Sequence, residues 1–372
     1  MMKTTQKEAL KKLEQYVNLP SGSHDAEDVE AFAGAVCADW EALGMRVVRH
    51  PGGALECTIG EGEDELLLLG HMDTVFPRAE HWPFRLEGDR AYGPGTMDMK
   101  GGLLVMYYAL REVLPALPSH AKIVCVLNTD EEIGSSNSHA LIEAHAAHAF
   151  AALSFEPVRP SGAFVAERKG VIAFSVRCTG QRGHAGSAYR SCGSAIQQLC
   201  RVVGDLYALR DDARDISINV GVLRGGVAEN IIADEAEARC EVRFYDPAYQ
   251  DELLAAVERI CAQPGVPGTT TALHVGASHP PFKANEKSVR LLELAQEIGR
   301  AQGREITAES TGGAGDVAYV CASGIAALDG LGVEGFGAHT KDEYAIASSL
   351  LRNARFAADL IKALVQRPDR VR

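Results

Sequence analysis

The sequence predicts an α/β protein with a smaller α+β domain inserted into the larger one. Three observations carry this reading. Apolar, β-branched runs alternate with helical patterns over residues 1–169, and the alternation resumes over 283–372. Between them, residues 170–282 change to strand-helix-strand-strand-helix-strand, the order of a ferredoxin-like sandwich. A chain of 372 residues is also long enough to bury two cores. In open α/β sheets ligands gather at the carboxyl ends of the strands, so those ends are where chemistry is sought.

The elements follow in order. Lys7 to Tyr16 and Ala26 to Leu43 have the three-to-four residue apolar spacing of helices, with Ser23 or Asp25 as N-cap of the second and Gly44 ending it. Met45 to Arg49, Ala54 to Ile59 and Glu65 to Leu69 read as strands, the last running into Gly70-His71-Met72-Asp73. His71 and Asp73 are two apart and share a face on extended chain. Trp82-Pro83-Phe84, a short strand, comes next. The turn Tyr92-Gly93-Pro94-Gly95-Thr96-Met97-Asp98 then opens a helix over 101–113. Lys122 to Leu127 is a buried strand closed by Asn128-Thr129-Asp130-Glu131-Glu132. A helix over 135–147 and a strand over 150–155 lead to Glu156-Pro157.

In the insert, strands are predicted at 171–178, 216–222, 236–243 and 270–275, with helices at 193–209 and 249–261 and a turn at Gly183-His184-Ala185-Gly186. The larger domain resumes with a helix over 288–302. Thr311-Gly312-Gly313-Ala314-Gly315-Asp316, a strand from Ile325, the turn Gly335-Phe336-Gly337-Ala338-His339 and a helix from Ile346 to Val365 complete it.

Composition excludes several function classes. A net charge of −13 without a basic cluster argues against nucleic-acid or anionic-membrane partners. No apolar run spans a bilayer, and the first residues lack a signal-peptide core. Nine scattered cysteines, an odd number without a C-x-x-C pair, read as reduced thiols and point to the cytoplasm.

His71, Asp98, Glu131, Glu132, Glu156 and His339 each follow a predicted strand or sit at a glycine-rich turn. Two carboxylates about 4 Å apart repel by about 4 kcal/mol at an effective dielectric of about 20, so an acidic cluster there calls for positive charge. Two imidazoles with several carboxylates suit zinc, with cobalt or manganese as alternatives. Two divalent cations are neutralised by Asp98, Glu132, Glu156 and one hydroxide. Taken singly, each residue has an ordinary reading as a cap, turn or surface group; their joint placement favours metal.

His71-x-Asp73, Gly95-x-x-Asp98-x-Lys100-Gly101, Asp130-Glu131-Glu132-x-Gly134, Ser154-Phe155-Glu156-Pro157, His184-Ala185-Gly186, Asn230-Ile231-Ile232 and Gly337-x-His339 together resemble metallopeptidase family M20. Tyr92-Gly93-Pro94-Gly95 and Thr311-Gly312-Gly313 resemble its glutamate carboxypeptidase branch, of the carboxypeptidase G2 kind. The resemblance implies a zinc-peptidase-like three-layer catalytic domain with a lid and dimerisation insert, two Zn2+ per subunit, and a homodimer formed through the insert. It implies Asp98 bridging two metals, His71 and Glu156 completing one site, and Glu132 and His339 the other. Asp73 would orient His71, and Glu131 would be the general base. His184 would donate to the oxyanion from the partner subunit, with Asn230, Gly312 and Gly313 meeting the substrate's carboxylate. The implied reaction is hydrolysis of an amide next to a free C-terminal carboxylate in a small peptide or an N-acyl amino acid, so deacylase and dipeptidase activities stand beside carboxypeptidase. A binding module that kept the fold is disfavoured by the intact Glu131 and ligand set. One departure bears on specificity. Where glutamate-specific relatives carry an arginine before a proline, this chain has His279-Pro280; Tyr189 also stands where a proline is common. Arg190 and Arg224 are alternative cations.

Overall fold

The computed structural model describes residues 4–372. Its helices, in chain order, are α1 (Gln6–Val17), α2 (Ala26–Ala42), α3 (Lys100–Val113), α4 (His139–Ala146), α5 (Ala195–Tyr207), α6 (Tyr249–Ala262), α7 (Glu286–Ala301) and α8 (Ser349–Gln366). The chain divides into two compact units. One comprises residues up to Glu167, then Lys283–Thr311 and Gly315–Arg372; the other comprises Arg168–Phe282 and Gly312–Ala314.

The larger unit is built on a six-stranded sheet in the order Arg46–Arg49, Leu55–Ile59, Ala121–Asn128, Asp64–His71, Ala149–Ser154, Ala326–Leu328. Its first two pairings are antiparallel and the remaining three parallel. Parallel strands covered on both faces read as continuous apolar runs. Asp64–His71 and Ala121–Asn128 do so, with all but one residue of each buried. Register then decides where the site falls. His71 pairs with Asn128, and Leu69 with Ser154, so three strand ends stop side by side. The polar segments that follow them are brought together by this alignment alone.

α3 closes tightly on that edge. A Cβ added at Gly102 would lie 2.1 Å from the Phe155 carbonyl oxygen, so only glycine lets the helix approach the strand end that carries Glu156. Tyr16, Phe32, Trp40, Phe155, Phe164 and Phe356 lie in the larger core.

The smaller unit holds a four-stranded antiparallel sheet in the order Ser217–Gly225, Glu235–Phe244, Gly170–Thr179, Thr270–His279, packed with α5 and α6. Gly170–Thr179 alternates buried and less buried residues, as a one-faced strand does. Arg168 and Arg243 donate to the carbonyl oxygens of Ala314 and Gly312 at 2.9 and 2.7 Å, which ties that short segment to this unit.

Several local expectations are revised. Trp82-Pro83-Phe84 is irregular, and the strand begins at Arg85, beyond the residue whose backbone cannot donate. α4 starts at His139 rather than at 135, because the Asp130 carboxylate captures the Asn137 N–H and the Ser138 hydroxyl and holds 135–138 in turns. The final helix starts at Ser349, since Tyr344–Ile346 pairs as a strand. Asp25 stands at the N-cap position of α2, as expected, but its carboxylate makes no capping bond there. Asp25 accepts from the Arg78 N–H at 2.7 Å, and Ser23 donates to Asp73 at 2.8 Å. The 3-10 helix Asp316–Ser323 has no counterpart in the sequence reading.

Candidate active site

His71 is the last residue of its strand and is buried. Its Nε2 lies 3.1 Å from Asp98 Oδ1 and 3.7 Å from Glu156 Oε1. Its Nδ1 faces Asp73, at 3.0 Å from the carbonyl and 3.4 Å from Oδ1. Nδ1–H held this way leaves Nε2 turned toward the carboxylates. His339 approaches from another side, its Nε2 3.1 Å from Glu132 Oε2 and 3.5 Å from Asp98 Oδ2. Asp98 thus has one imidazole on each carboxylate oxygen. His71, Asp98 and Glu132 each offer a ligand atom within 4.8 Å of the others. Asp98 precedes α3, and the Asp98–Met99 peptide is cis.

Glu131–Ile133 is a 3-10 turn closed by Gly134 at φ +99°. The turn is fastened by Asp73, whose two carboxylate oxygens accept the N–H groups of Glu131 and Glu132 at 3.2 Å each. Asp73 therefore acts on both His71 and the acidic turn. Asp130, the first of the three consecutive acids, is turned away into the loop by Ser138 and Asn137, which relieves the crowding.

Electrostatics follow from burial and proximity. Burial raises Glu131 well above the ordinary carboxylate value; His71 opposes this, while Glu156 and Asp316 add to it. Burial also raises Glu132, with Asp98 adding and His339 opposing. For Asp98 burial acts upward, but hydrogen bonds from His339 and His71 prevail and hold it below the usual range. His339 is pushed up to about 10 by its hydrogen bonds to Asp98 and Glu132. His71, despite burial, is raised well above its ordinary value by Asp73 and Asp98. The cluster therefore attracts positive charge strongly, as the donor chemistry of a divalent cation site requires.

Two further residues support the cluster and gave no sequence signal. Glu343 is fully buried and accepts from the N–H groups of Gly95, Met97 and Asp98 at 3.0, 2.9 and 3.0 Å. It clasps the loop that presents Asp98, while burial pushes its carboxyl up to about 7. Asp316 is buried between the Asn128 amide and the Ser135 hydroxyl, and burial raises it to about 6. Lys100, quoted above only as part of a motif, is buried, donates to the carbonyls of Tyr16 and Leu19, and lies over the Phe32 ring. His339 itself takes a left-handed φ of +64° beside Gly337 at +83°, a costly conformation for a residue with a Cβ.

The remaining sequence candidates lie in the smaller unit. His184 is exposed on the two-residue strand Gly183–His184, paired with Ile231–Ile232, and its Nδ1 accepts the Gly186 N–H at 3.1 Å. The Asn230 carbonyl accepts the Ala185 N–H at 3.0 Å, so His184 and Asn230 are neighbours along one loop pair. Gly312 and Gly313 fall in the segment tied down by Arg168 and Arg243. His279 is buried at the end of its strand, and Arg190 lies over the exposed Tyr189 ring.

This fold and cluster define a metal-dependent hydrolase of the peptidase class. The model of peptidase family M20/M25/M40 matches residues 67–363, and the chain belongs to that family. It is 33% identical over 371 residues to carboxypeptidase G2 of Pseudomonas sp. (strain RS-16), covering 95% of this chain and 89% of that protein. An M20 family metallo-carboxypeptidase from Sulfolobus solfataricus shares the fold with a TM-score of 0.79 at 18% identity, over 96% of this chain and 99% of the other. A tripeptidase from Staphylococcus aureus subsp. aureus mu50 does so at 0.76 and 23% identity, over 97% and 99%. Among the described residues, no helix is long and apolar enough to cross a membrane.

Proposed function

We propose that the chain is a dizinc exopeptidase that cleaves an amide bond next to a free C-terminal carboxylate, as a carboxypeptidase. The observation that carries the reading is Asp98, with an imidazole at each of its carboxylate oxygens and Glu132 and Glu156 beyond them. That donor set, two nitrogens and three carboxylates, fits a pair of divalent cations. His71 and Glu156 would complete one site and Glu132 and His339 the other, with zinc favoured and cobalt or manganese as alternatives. Bound there, the cations would lower the pKa of water and polarise the scissile carbonyl.

The protein's own groups do the rest. Glu131 takes the proton from the attacking water and delivers it to the leaving amine nitrogen. Asp73 fixes the His71 ring and, through two N–H groups, the turn that aims Glu131 and Glu132. Glu343 keeps Asp98 in place from its three backbone hydrogen bonds. His184 is assigned to the developing oxyanion, and Asn230, Gly312 and Gly313 to the substrate carboxylate. These assignments rest on the family motifs, as does dimerisation through the 170–282 domain; a cytoplasmic location rests on the nine scattered cysteines, read as reduced thiols.

The carboxypeptidase reading draws on the likeness to carboxypeptidase G2. A second reading, N-acyl-amino-acid deacylase or dipeptidase, is favoured by His279 in place of the expected arginine. Parallel assays with folate-like glutamate conjugates, acyl amino acids and dipeptides separate the two. A kcat/KM advantage for C-terminal glutamate supports the first; none supports the second. Elemental analysis showing no bound divalent metal in active protein would remove both.

A further inference from the structure

A groove of about 480 Å³ opens on the larger unit along α8, well away from the candidate active site. Arg304, Arg352, Arg355 and Lys362 face it, against two carboxylates, Glu112 and Asp359. In a chain of net charge −13 this local excess of cations stands out. It follows from sequence spacing, since Arg352, Arg355, Asp359 and Lys362 share one face of α8.

The pairing inside the groove leaves cations unspent. Asp359 accepts from the Gln302 amide at 2.8 Å. Glu334, adjoining, takes Arg352 at 2.6 Å and stands 3.9 Å from Arg304. Arg304 lies over the Phe356 ring, and its Nη1 is buried without a hydrogen-bond partner. Burial pushes that guanidinium below its ordinary value, the mark of a cation poorly compensated where it sits. Among the described residues, Arg355 and Lys362 make no ion pair. A buried donor left unmade is expensive, and a planar guanidinium is shaped to take two oxygens of one acid group. The volume is in the range of small-molecule sites. Glu112 lies twelve residues beyond Lys100 on α3, so the groove is roughly 18 Å along that helix from the Asp98 end.

We propose that this groove binds a small, multiply charged oxyanion, a phosphate monoester or a polycarboxylate, through Arg304, Arg355 and Lys362. The site is distinct from the candidate metal cluster, and the proposal rests on the groove alone. The two ligand sources share the chemistry of closely spaced anionic oxygens and differ in geometry.

Isothermal titration of the metal-loaded protein at low ionic strength, with inorganic phosphate in one arm and tricarballylate in the other, tests this. At least one anion should saturate with a dissociation constant at or below about 1 mM and weaken as sodium chloride is added. The preferred arm identifies the ligand class. Arg355→Glu with Lys362→Glu, both away from the core, should weaken binding at least about tenfold while thermal unfolding of the free protein stays near that of the parent. Binding unchanged in that double variant would place the anion elsewhere and overturn the proposal, as would failure of both anions to saturate by about 10 mM.

Discussion

The two sheets contrast in how they use their residues. In the larger unit the central strands are buried on both faces and end in a polar cluster in which Asp73 holds both His71 and the turn carrying Glu131 and Glu132. In the smaller unit Gly170–Thr179 is buried on alternate residues, and the candidate substrate-facing groups are exposed, His184 on a two-residue strand and Asn230 in the turn before its pairing partner. A doubly covered sheet gives a rigid platform for groups that must not move. A one-faced sheet leaves a surface whose residues are free to meet something else. The candidate metal cluster is thus concentrated in one unit, and the candidate substrate contacts in the other.

The largest effect expected to sharpen this contrast is at Glu131. Glu131→Gln should lower kcat by about 10³-fold or more, in the range of a lost general base, with bound metal measured by elemental analysis near the parent value. Substantial residual turnover would move the base elsewhere. Next is His184→Ala. If His184 is the proposed oxyanion donor, its loss should lower kcat by about 10²–10³-fold. Because His184 is exposed, melting temperature and metal content should hardly change. If metal content falls instead, the division between platform and contact surface fails.

Core truncations probe the same difference as stability. Leu67→Ala, in a strand covered on both faces, should cost about 3–4 kcal/mol in urea unfolding. Val242→Ala in the smaller core removes fewer methylenes and should cost about 1–2 kcal/mol. A Leu67→Ala cost no larger than that of Val242→Ala would mean that the doubly covered strand collapses around the lost methylenes more readily than the smaller core does.

The smallest effect concerns the amino end of the 64–71 strand, remote from the cluster. Burial acts upward on Glu65, but hydrogen bonds from His145 and Lys122, at 2.8 and 2.7 Å, prevail and lower it. A carboxyl lowered in the folded state stabilises above its unfolded pKa, and that contribution is lost as pH falls through the folded value. Glu65→Gln should therefore cost about 1 kcal/mol near pH 7, and the difference from the parent should vanish below about pH 3. A difference independent of pH would mean that the ion pair contributes nothing.

Much of the candidate cluster was legible because its members follow strands or sit at glycine-rich turns, and strand ends are recognisable from apolar runs. His71, Asp98, Glu131, Glu132, Glu156 and His339 all fall together in the larger unit. What escaped was tertiary. Glu343 is one of 50 acids, and nothing local distinguishes a carboxylate that will accept three distant N–H groups. Asp316 gained its place from Asn128 and Ser135, far away in sequence. The 3-10 geometry of Glu131–Ile133 depends on Asp73, which was given a role only toward His71. In the fold, the strands Phe336 and Tyr344–Ile346 belong to were masked by their brevity, since a pairing of two or three residues leaves no periodicity to detect.

One short hairpin has a double duty. The stretch between Gly335 and Ile346 delivers the imidazole of His339 and, four positions later, the carboxylate that grips the Asp98 loop. Loosening it would displace His339 and release the Asp98 loop at the same stroke. If the proposed pair of cations binds there, half-assembled centres would be disfavoured, and filling one position should ease filling of the other.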